Sequence, residues 1–355
     1  LEVCRRYNVE ATDLGVFEAT GRLVVRHDGE VVGDLDMAFL HDGWPERRLQ
    51  ATFAPRPGPA ELPEPPRDRD GWRQAVLEVL GTGNVASKEP IVRQYDHTVQ
   101  GSCAGAPFGG RRGHGPGDAA VLAPLLGRPY GMIIAHGMNP VLNTFDPYWG
   151  TLWAGAEAMS NLVAVGGDPD EVGLIDNFIW PVPSPTSLGM LDRAVDACVD
   201  LMRSLRRPFV SGKDSLSSSY RFPDGEVLDI PPVLCVSVFG RIPDVGRTVA
   251  SGLDRPGARL LLVGAPDYEG MGGSAWLEAA GMRGERAPRV DLELLPELLR
   301  AVHRAIREGA VTACHDVSEG GLVTTLAEMC IGGLLGAEVD VGALCERPDV
   351  ALFNE

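Results

Sequence analysis

The chain has 355 residues, 44% of them hydrophobic and 23% charged, which is typical of a globular protein with two domains plus a remainder. Its formal net charge of −17 argues against a nucleic-acid or membrane-surface partner, because a polyanion would repel it. Seven scattered cysteines without a CxxC pair, no apolar run of membrane-spanning length and no signal peptide indicate a reduced, cytoplasmic protein.

The first part of the chain is predicted to hold a hairpin and an extended connection. Residues 15–40 carry turn signals at Thr20-Gly21 and Asp28-Gly29 between strand-like runs. Residues 55–66 contain six prolines and one glycine, which predict a linker. A helix is expected over 72–81, with Gly81 as the residue after its end.

Strands and helices alternate through the centre of the chain. Short apolar runs predict strands at Tyr130–Gly137, Val172–Phe178, Pro208–Val210 and Val233–Ile242. Helices are predicted from Asp146-Pro147 to about Val165 and from about Leu188 to Leu205.

The rest of the chain is predicted to form a second α/β unit after a linker at 243–257. Strands are expected at 258–264 (buried) and 311–317, a glycine turn at 269–274, and helices near 291–308 and over 322–330. The alternation favours a mixed α/β architecture in two units, and it leaves the order of the strands open.

The segment VSGKDSL (210–216) invites comparison with a phosphate-binding P-loop. That motif requires GxxxxGK[ST], but Arg207 stands where its first glycine belongs and Asp214 where it needs Ser or Thr. The P-loop interpretation therefore fails. What is left is a strand end leading into a loop with Gly212, Lys213 and Ser215, or a solvated turn after an edge strand.

Two segments offer oxygen ligands for a metal ion. In HGPGDAAVL (114–122), Asp118 stands beside flexible glycine backbone, which suits a metal-bound nucleotide or, alternatively, a simple turn or helix cap. In AEAMSNL (156–162), Glu157 and Asn161 lie on one face of a predicted helix with apolar surroundings. They either ligate a cation or bond to each other at a domain interface.

The segment HDVSEGGL (315–322) is the most specific local signal. A predicted strand ends at Asp316 and Ser318, and two glycines then open a helix whose free amides and dipole favour a phosphate. A lone strand-end histidine such as His315 is more often structural than catalytic. The predicted oxygen ligands of a Mg–nucleotide cleft between two domains are therefore Asp118, Glu157, Asn161 and Asp316.

Seven segments occur together in an order that resembles the phosphoribosylformylglycinamidine synthase family (formylglycinamide ribonucleotide amidotransferase), part of the aminoimidazole ribonucleotide synthetase superfamily. They are ASKEPIVRQYDHTVQGS (86–102), GPGDAAVL (115–122), NPVLNTFDPYWG (139–150), EAMSNLVAVGGDP (157–169), LIDNF (174–178), PFVSGKDSL (208–216) and HDVSEGGL (315–322). Each segment alone is a weak signal, whereas the ordered set is highly specific.

The resemblance implies an α+β fold with an aminoimidazole-ribonucleotide-synthetase-type N-terminal α/β domain, whose sheet pairs into a barrel, and an incomplete mixed α/β C-terminal domain. The expected parts are the tail of a preceding C-terminal domain (1–54), a Pro-rich linker (55–66), the N-terminal domain (67–245), a linker (246–256) and the truncated C-terminal domain (257–355). Because the chain starts at Leu1 and stops at Glu355, we expect a piece of a longer enzyme.

The resemblance also implies a carbon–nitrogen ligase of purine biosynthesis that uses ATP and Mg²⁺. The family converts formylglycinamide ribonucleotide, glutamine-derived ammonia and ATP to formylglycinamidine ribonucleotide, ADP and phosphate. The implied partners are the missing first half of the synthetase, a glutaminase domain or subunit, and the small-molecule substrate. Large members hold a second, structural nucleotide as well.

Carried over residue by residue, the resemblance implies two sets of contacts. The structural nucleotide site is implied to have metal ligands Asp118, Glu157, Asn161 and Asp316 and nucleotide contacts Gly117 and Ser318. Positions for the catalytic ATP match Asp176 and Gly212, and a substrate contact matches Ser215. Small-type members have Asn, a metal ligand, where this chain has Lys213, so either Lys213 contacts phosphate or Asp214 takes the metal. No catalytic residue is assigned.

Two alternatives stay open. The chain is a nucleotide-binding scaffold without turnover, or it is another ATP-using member of the superfamily, such as an aminoimidazole ribonucleotide synthetase, a selenophosphate synthetase or a hydrogenase-maturation dehydratase. The QYDH and GKDSL elements and the preceding hairpin favour the amidotransferase. We expect no synthetase activity from residues 1–355 alone, and we expect self-association through the sheet.

Overall fold

The computed structural model describes residues 1–355 except Arg56 and Asp96. One residue of the predicted proline-rich linker and one of the QYDH segment therefore lie outside the described residues. The chain divides into two compact units, Leu1–Leu49 and Gln50–Glu355. The finer domain boundaries inferred from the sequence stay predictions.

The first unit contains a β-hairpin. Helix α1 (Glu2–Arg6) precedes strands β1 (Arg22–His27) and β2 (Glu30–Asp36), and helix α2 (Met37–Asp42) follows. The strands pair antiparallel, and at the turn Asp28 and Gly29 both adopt left-handed backbone, with φ of 51° and 85°. This is the geometry that two-residue hairpins favour, so the predicted hairpin and its Asp-Gly turn are confirmed.

The second unit mixes strands and helices. Its strands are β3 (Cys103–Gly105), β4 (Phe108–Gly109), β5 (Gly115–Pro116), β6 (Ala120–Leu122), β7 (Gly131–Gly137), β8 (Val172–Ile179), β9 (Phe209–Ser215), β10 (Ser219–Arg221), β11 (Val227–Asp229) and β12 (Val233–Ile242). Its helices are α3 (Arg69–Leu80), α4 (Glu89–Val92), α5 (Pro140–Phe145), α6 (Pro147–Ala164), α7 (Pro185–Leu205), α8 (Ala275–Ala279), α9 (Leu294–Arg307), α10 (Gly321–Gly333) and α11 (Pro348–Phe353).

A six-stranded mixed sheet lies at the centre of this unit, in the order β3-β6-β7-β12-β8-β9. Neighbouring strands pair antiparallel except β8 and β9, which are parallel. Helices α6 and α7 pack on one face around fully buried residues such as Leu162, Leu174 and Val236. The other face is more open, since Met132 and His136 of β7 are exposed. The mixed α/β prediction is confirmed.

The two long helices begin where local chemistry starts them. The Asp146 side chain accepts a hydrogen bond from Tyr148 N, which caps α6. Ser184 and Ser187 form a capping box at α7, so this helix begins earlier than the apolar stripe alone predicted. Gly137 lets α6 approach the sheet closely, because a Cβ there would lie 2.0 Å from Ala154 O.

Strand β9 continues to Ser215, beyond the predicted end at Val210. Its parallel ladder with β8 holds the backbone extended through this segment. Gly212, Lys213 and Ser215 therefore lie within a strand, and the predicted loop that would have carried them is wrong.

Two strands predicted after residue 257 are also absent from the described chain. Residues 258–264 form no strand, and Leu261 and Val263 are 80% and 54% exposed, so this segment has no neighbouring backbone to complete a ladder. Residues 311–317 form only one isolated bridge, between Ala250 and Ala313. The backbone beyond it bonds to side chains instead, because Asp316 N donates to Asp118 Oδ1 and Thr325 Oγ1 donates to Asp316 O.

A group of four glycines, the glycine joint (Gly110, Gly115, Gly252 and Gly332), seats the end of α10 against the β4–β5 hairpin. A Cβ on Gly115 would lie 2.6 Å from Gly332 Cα, and a Cβ on Gly332 would lie 2.8 Å from Gly252 Cα. Arg111 N also donates to Gly332 O at 2.9 Å. The backbones touch because side chains are missing, and this contact brings the residue pair Gly117-Asp118 toward the segment that precedes α10.

Among the described residues, none of the helices combines the length and the apolar character required to cross a lipid bilayer.

Candidate metal–nucleotide site

Asp118 is the centre of the best-defined polar site. Its carboxylate follows β5, is 1% exposed, and accepts hydrogen bonds at Oδ1 from His315 Nδ1 (2.7 Å) and from Asp316 N (3.1 Å). Its Oδ2 is buried and accepts no hydrogen bond from the described residues. Asp118 is therefore not a simple turn or cap residue, because its bonds join segments far apart in the sequence.

His315 lies between two carboxylates and has a supporting role in the site, because both of its ring nitrogens are hydrogen-bonded. Nδ1 faces Asp118 and Nε2 faces Glu328 Oε2 of α10 at 2.9 Å. Carboxylates accept but do not donate, so both ring nitrogens carry protons. Burial lowers the pKa of His315, but the charges and hydrogen bonds of Asp118 and then Glu328 and Asp316 outweigh this and raise it well above its usual value.

Glu157 and Asn161 do not bond to each other but hold the end of β7. Met138 N donates to Glu157 Oε2 at 2.8 Å, and Asn161 Nδ2 donates to His136 O at 3.0 Å. Both residues come from the face of α6 that meets the sheet. The alternative of a mutual Glu–Asn pair is therefore wrong. The charges of Glu319 and Asp316 act on Glu157, so Glu157 belongs to the same acidic cluster as Asp316.

The acidic cluster is formed by Asp118, Glu157, Asp316 and Glu319. Burial, followed by the charges of Glu319 and Asp316, raises the pKa of Glu157 far above its usual range. Burial and the charge of Asp118 raise the pKa of Asp316 to about 7, and burial raises that of Glu319 to about 7. Glu157 has a smaller, opposite effect and lowers the pKa of Glu319, so these two carboxyl groups influence each other's protonation.

The predicted nucleotide contacts Gly117 and Ser318 flank this cluster. Ser318 hydrogen-bonds the carboxylate of Asp316, which lowers the pKa of Asp316 against the larger effects above. Gly117 N donates to Pro107 O at 2.9 Å, and a Cβ on Gly117 would lie 2.8 Å from Ala106 O. The residue at 117 must therefore be glycine for the chain to carry Asp118 to this place.

The predicted phosphate site at the start of α10 is occupied by a carboxylate of the protein. Gly320 N donates to Glu355 Oε1 at 2.6 Å, and Ala275 N at α8 donates to the same oxygen at 2.8 Å. Burial raises the pKa of Glu355 to about 8. The amide of Gly320 is therefore not available to a phosphate, so the prediction of unpaired amides is wrong at this residue.

Asp176 and Gly212 lie together on one side of the sheet, and Ser215 lies on the other side. Asp176 of β8 pairs with Gly212 of β9, and a Cβ on Gly212 would lie 2.2 Å from Asp176 Oδ1. Burial and then Asp214 raise the pKa of Asp176, so these two carboxylates share a side of β9. Lys213 Nζ donates to Ser215 Oγ at 2.5 Å on the opposite side, because side chains alternate along a strand.

The residues around Asp118 fit a hard divalent cation. Ligand atoms of Asp118, Asp316 and His315 lie within 4.8 Å of one another, but both nitrogens of His315 are already engaged, which leaves the carboxylates as ligands. Carboxylate and amide oxygens are what Mg²⁺ prefers, and the unbonded buried Asp118 Oδ2 lacks only a cation to satisfy it. Asp118 and Asp316 would hold the ion, while Glu157 and Asn161 stay predicted ligands.

Sequence reasoning missed three acidic residues of this region. Glu319 lies inside HDVSEGGL and could have been found from its place before the two glycines. Glu328 lies two turns into α10, and its role depends on His315 in another segment. Glu355 has no local signal at all, because only the folded chain brings it to α8 and α10.

Comparisons with known proteins agree with this geometry. Residues 255–355 match the family model described as "AIR synthase related protein, C-terminal domain". The chain is similar over 100% of its length to subunit PurL of phosphoribosylformylglycinamidine synthase from Deinococcus radiodurans, with 32% identity, and covers 47% of that protein. The corresponding subunit from Parafrankia is 34% identical, with 100% of the chain and 45% of the relative covered.

Solved structures share the fold. Thermotoga maritima PurL complexed with FGAR matches with a TM-score of 0.54 and 18% identity, over 80% of this chain and 43% of that one. Thermotoga maritima PurL complexed with ATP matches with a TM-score of 0.51 and 21% identity, over 90% and 43%. The chain spans about half the length of the curated relatives it matches. Along its whole length it is similar to the PurL subunits of phosphoribosylformylglycinamidine synthase, and its residues 255–355 match the C-terminal domain of AIR synthase related proteins.

Proposed function

We propose that this chain is part of the ATP-dependent amidoligase that makes formylglycinamidine ribonucleotide from formylglycinamide ribonucleotide, ATP and glutamine-derived ammonia. The observation that carries the proposal is the buried acidic cluster, whose members come from α6, from the segment after β5 and from the segment before α10. Full-length similarity to PurL subunits supports the same assignment. The products are ADP and phosphate.

The task of this half in the reaction is to bind a Mg–nucleotide. Asp118, Glu157, Asn161 and Asp316 hold Mg²⁺, which supplies positive charge to neutralise nucleotide phosphates. The close backbone approach at Gly117 and the Ser318 hydroxyl contact the nucleotide itself. Because the cluster is buried and rigidly bonded, we assign it the structural nucleotide rather than the one that is turned over.

A second nucleotide position is proposed at Asp176 and Gly212, with Ser215 as a contact for the substrate. Asp214 shares a side of β9 with Asp176, whereas Lys213 points to the side of Ser215. Of the two alternatives, this alternation favours Asp214 as the metal ligand, because Asp214 lies on the same side of β9 as Asp176.

The proposed partners follow from the share of the relatives that the chain spans. The first half of the synthetase and a glutaminase domain or subunit complete the enzyme, which works in the cytoplasm. The open face of the sheet, where Met132 is 42% exposed, is the surface that we expect to pack against the sheet of another domain or of a second copy. We expect the isolated chain to self-associate, and a strictly monomeric mass in sedimentation velocity at micromolar concentration would contradict this.

The experiment that tests the assignment begins with the purified chain. It is heat-denatured, and the supernatant is chromatographed for adenine nucleotide, beside an Asp118→Asn variant; both proteins are also titrated with Mg–ATP. We expect ADP or ATP with the native chain and none with the variant. Absence of nucleotide from both proteins, with no binding of Mg–ATP, would mean either that the site needs the missing half of the synthetase or that the cluster is only a polar interface.

A non-catalytic scaffold is the second candidate, favoured by the better definition of the buried cluster over the Asp176 position. It predicts tight nucleotide retention without turnover. We expect no amidine formation by residues 1–355 with ammonia as nitrogen donor. Measurable product from the chain alone would refute both this expectation and the assignment of the active centre to the assembled enzyme.

A further inference from the structure

We propose that His315 and Glu328 are positioning residues that fix the Asp118 carboxylate for the cation, as a relay Glu328–His315–Asp118. The inference rests on the proposed function, since it assigns a role to residues around the metal–nucleotide site. Neither residue touches the nucleotide or the metal in this scheme. They act through Asp118, whose orientation they set.

The geometry divides the two oxygens of Asp118. Oδ1 receives two hydrogen bonds, from His315 Nδ1 at 2.7 Å and from Asp316 N at 3.1 Å. Oδ2 is buried and receives none from the described residues. A carboxylate held by one oxygen presents the other in a single direction, which is how a supporting hydrogen bond orients a metal ligand.

Glu328 holds the orientation of the His315 imidazole, which in turn holds the Asp118 carboxylate. Its Oε2 accepts from His315 Nε2 at 2.9 Å, so the imidazole is bonded at both ends and cannot rotate or flip without losing a bond. His315 is 6% exposed, whereas Glu328 is 26% exposed and comes from α10, so the relay ties the ligand to a helix. The glycine joint holds the end of that helix against the segment that carries Asp118.

Leucine and asparagine at position 315 separate positioning from simple packing. Asparagine keeps a short side chain with an N–H that can reach Asp118, while leucine fills similar space and donates nothing. Gln and Leu at position 328 form the corresponding pair, because the Gln amide oxygen still accepts from Nε2. Glu338→Gln, at an exposed glutamate, controls for the loss of one negative charge.

The test measures Mn²⁺ binding to the full chain by electron paramagnetic resonance in the presence of ADP, and ADP binding in EDTA. We expect His315→Leu and Glu328→Leu to weaken Mn²⁺–ADP binding by roughly 10- to 100-fold, the range found for supporting residues of metal sites. His315→Asn and Glu328→Gln should recover most of it, and metal-free ADP binding should not change. Unfolding in EDTA identifies any variant that has lost its fold.

Nitrogen-15 spectra of the histidines of the native chain give a readout that needs no ligand. Slowly exchanging protons on both His315 nitrogens, with the Nε2 proton lost in Glu328→Leu, would establish the relay. Mn²⁺–ADP affinity equal to the native value in a folded His315→Leu protein would overturn the positioning role alone. If the native chain binds no Mn²⁺–ADP, the proposed function fails, and with it the relay has nothing to position.

Discussion

The acidic cluster differs from a second group of charges in the same unit, which we call the Asp170 clamp (Asp170, Arg207 and Arg300). The two groups shift the pKa of their carboxyl groups in opposite directions. In the clamp, Arg300 donates to both oxygens of Asp170 at 2.8 and 2.9 Å, and Arg207 adds a bond at 3.0 Å. Hydrogen bonds from Arg300 are the largest cause that lowers the pKa of Asp170 to about 2. In the cluster, burial raises the pKa of each member for which a shift is resolved.

The difference teaches what each group is for. The clamp joins the turn after α6 to α9 and neutralises its own charge, so it is complete as a structural device. The cluster brings four acidic side chains together, and among the residues that the structure describes only His315 and, at a distance, Lys88 offset their charge. Such an excess of buried negative charge costs stability unless a cation is bound, and it therefore points to a ligand.

The largest expected effect separates the two groups by binding. Asp118→Asn should weaken Mg–nucleotide binding by more than about 100-fold, because it removes the negative charge of the carboxylate whose buried, unpaired Oδ2 would bind the ion. Asp170→Asn should leave the same affinity unchanged. Isothermal titration of both variants decides the matter, and comparable losses in the two would erase the distinction between a ligand site and a structural clamp.

The second prediction concerns the pH dependence of stability in EDTA. Asp316 and Glu319 have folded pKa values of about 7 and Glu355 of about 8, above those of an unfolded chain. The folded state then binds more protons, so stability is present below about pH 4 and is lost as the pH rises through 7 to 8. We expect urea unfolding to show a loss of several kcal/mol in the free energy of unfolding between pH 5.5 and 8.5, because each group contributes roughly 1.4 kcal/mol per pH unit until its folded pKa is passed.

Two variants check the origin of this loss. Glu319→Gln should flatten the profile, whereas Glu338→Gln, which removes an exposed charge, should not. Saturating Mg–ADP should flatten it too, because the bound cation replaces the protons. A free energy of unfolding that rises between pH 5.5 and 8.5 in EDTA would show that ionisation of the buried carboxyl groups does not destabilise the folded state.

The Asp170 clamp should show the opposite sign at smaller size. Its pKa is lowered, so its stabilisation is present above about pH 4 and is lost as the pH falls toward 2. We expect Asp170→Asn to reduce the free energy of unfolding by about 1 kcal/mol at pH 7, a figure discounted because the side chain is 39% exposed and water screens it. The deficit should shrink at pH 3, and equal deficits at both pH values would count against it.

The smallest effect is expected at Ser318. Its hydroxyl bonds to the Asp316 carboxylate, so Ser318→Ala should weaken Mg–nucleotide binding only a few-fold, by about 1 kcal/mol. Ser318→Cys, whose thiol is a weaker donor of similar size, should have an affinity between those of the native chain and Ser318→Ala. A loss as large as that of Asp118→Asn would mean that Ser318 contacts the ligand more strongly than it contacts Asp316.

The sequence predicted best what local patterns encode. The four sheet strands at the centre and the α6 N-cap at Asp146 follow from short apolar runs and one Asp-Pro pair, and the structure confirms them with shifts at the ends. The grouping of Asp118 with Asp316 came from the ordered motifs. Their direct contact through Asp316 N could not be read from either segment, because it joins residues almost two hundred positions apart.

The failures have a physical reason as well. The run ARLLLVG looks like a buried strand, yet a strand forms only where neighbouring backbone completes the ladder, and apolar character alone does not reveal that neighbour. The glycines before α10 resembled a phosphate site because the free amides at the start of a helix donate hydrogen bonds to any anion. Glu355 supplies one from the protein itself, a competitor that no local pattern announces.

The glycine joint has a further consequence for how much error the site can tolerate. Helix α10 is about 20 Å long at 1.5 Å per residue, and Gly332 is one turn beyond Glu328. A single methyl group added to Gly332 would push the end of α10 away from Gly115 and Gly252 and tilt the helix that carries Glu328. Metal ligands are placed to within about 0.2 Å, so the position of the ligand carboxylates depends on the absence of side chains at the glycine joint.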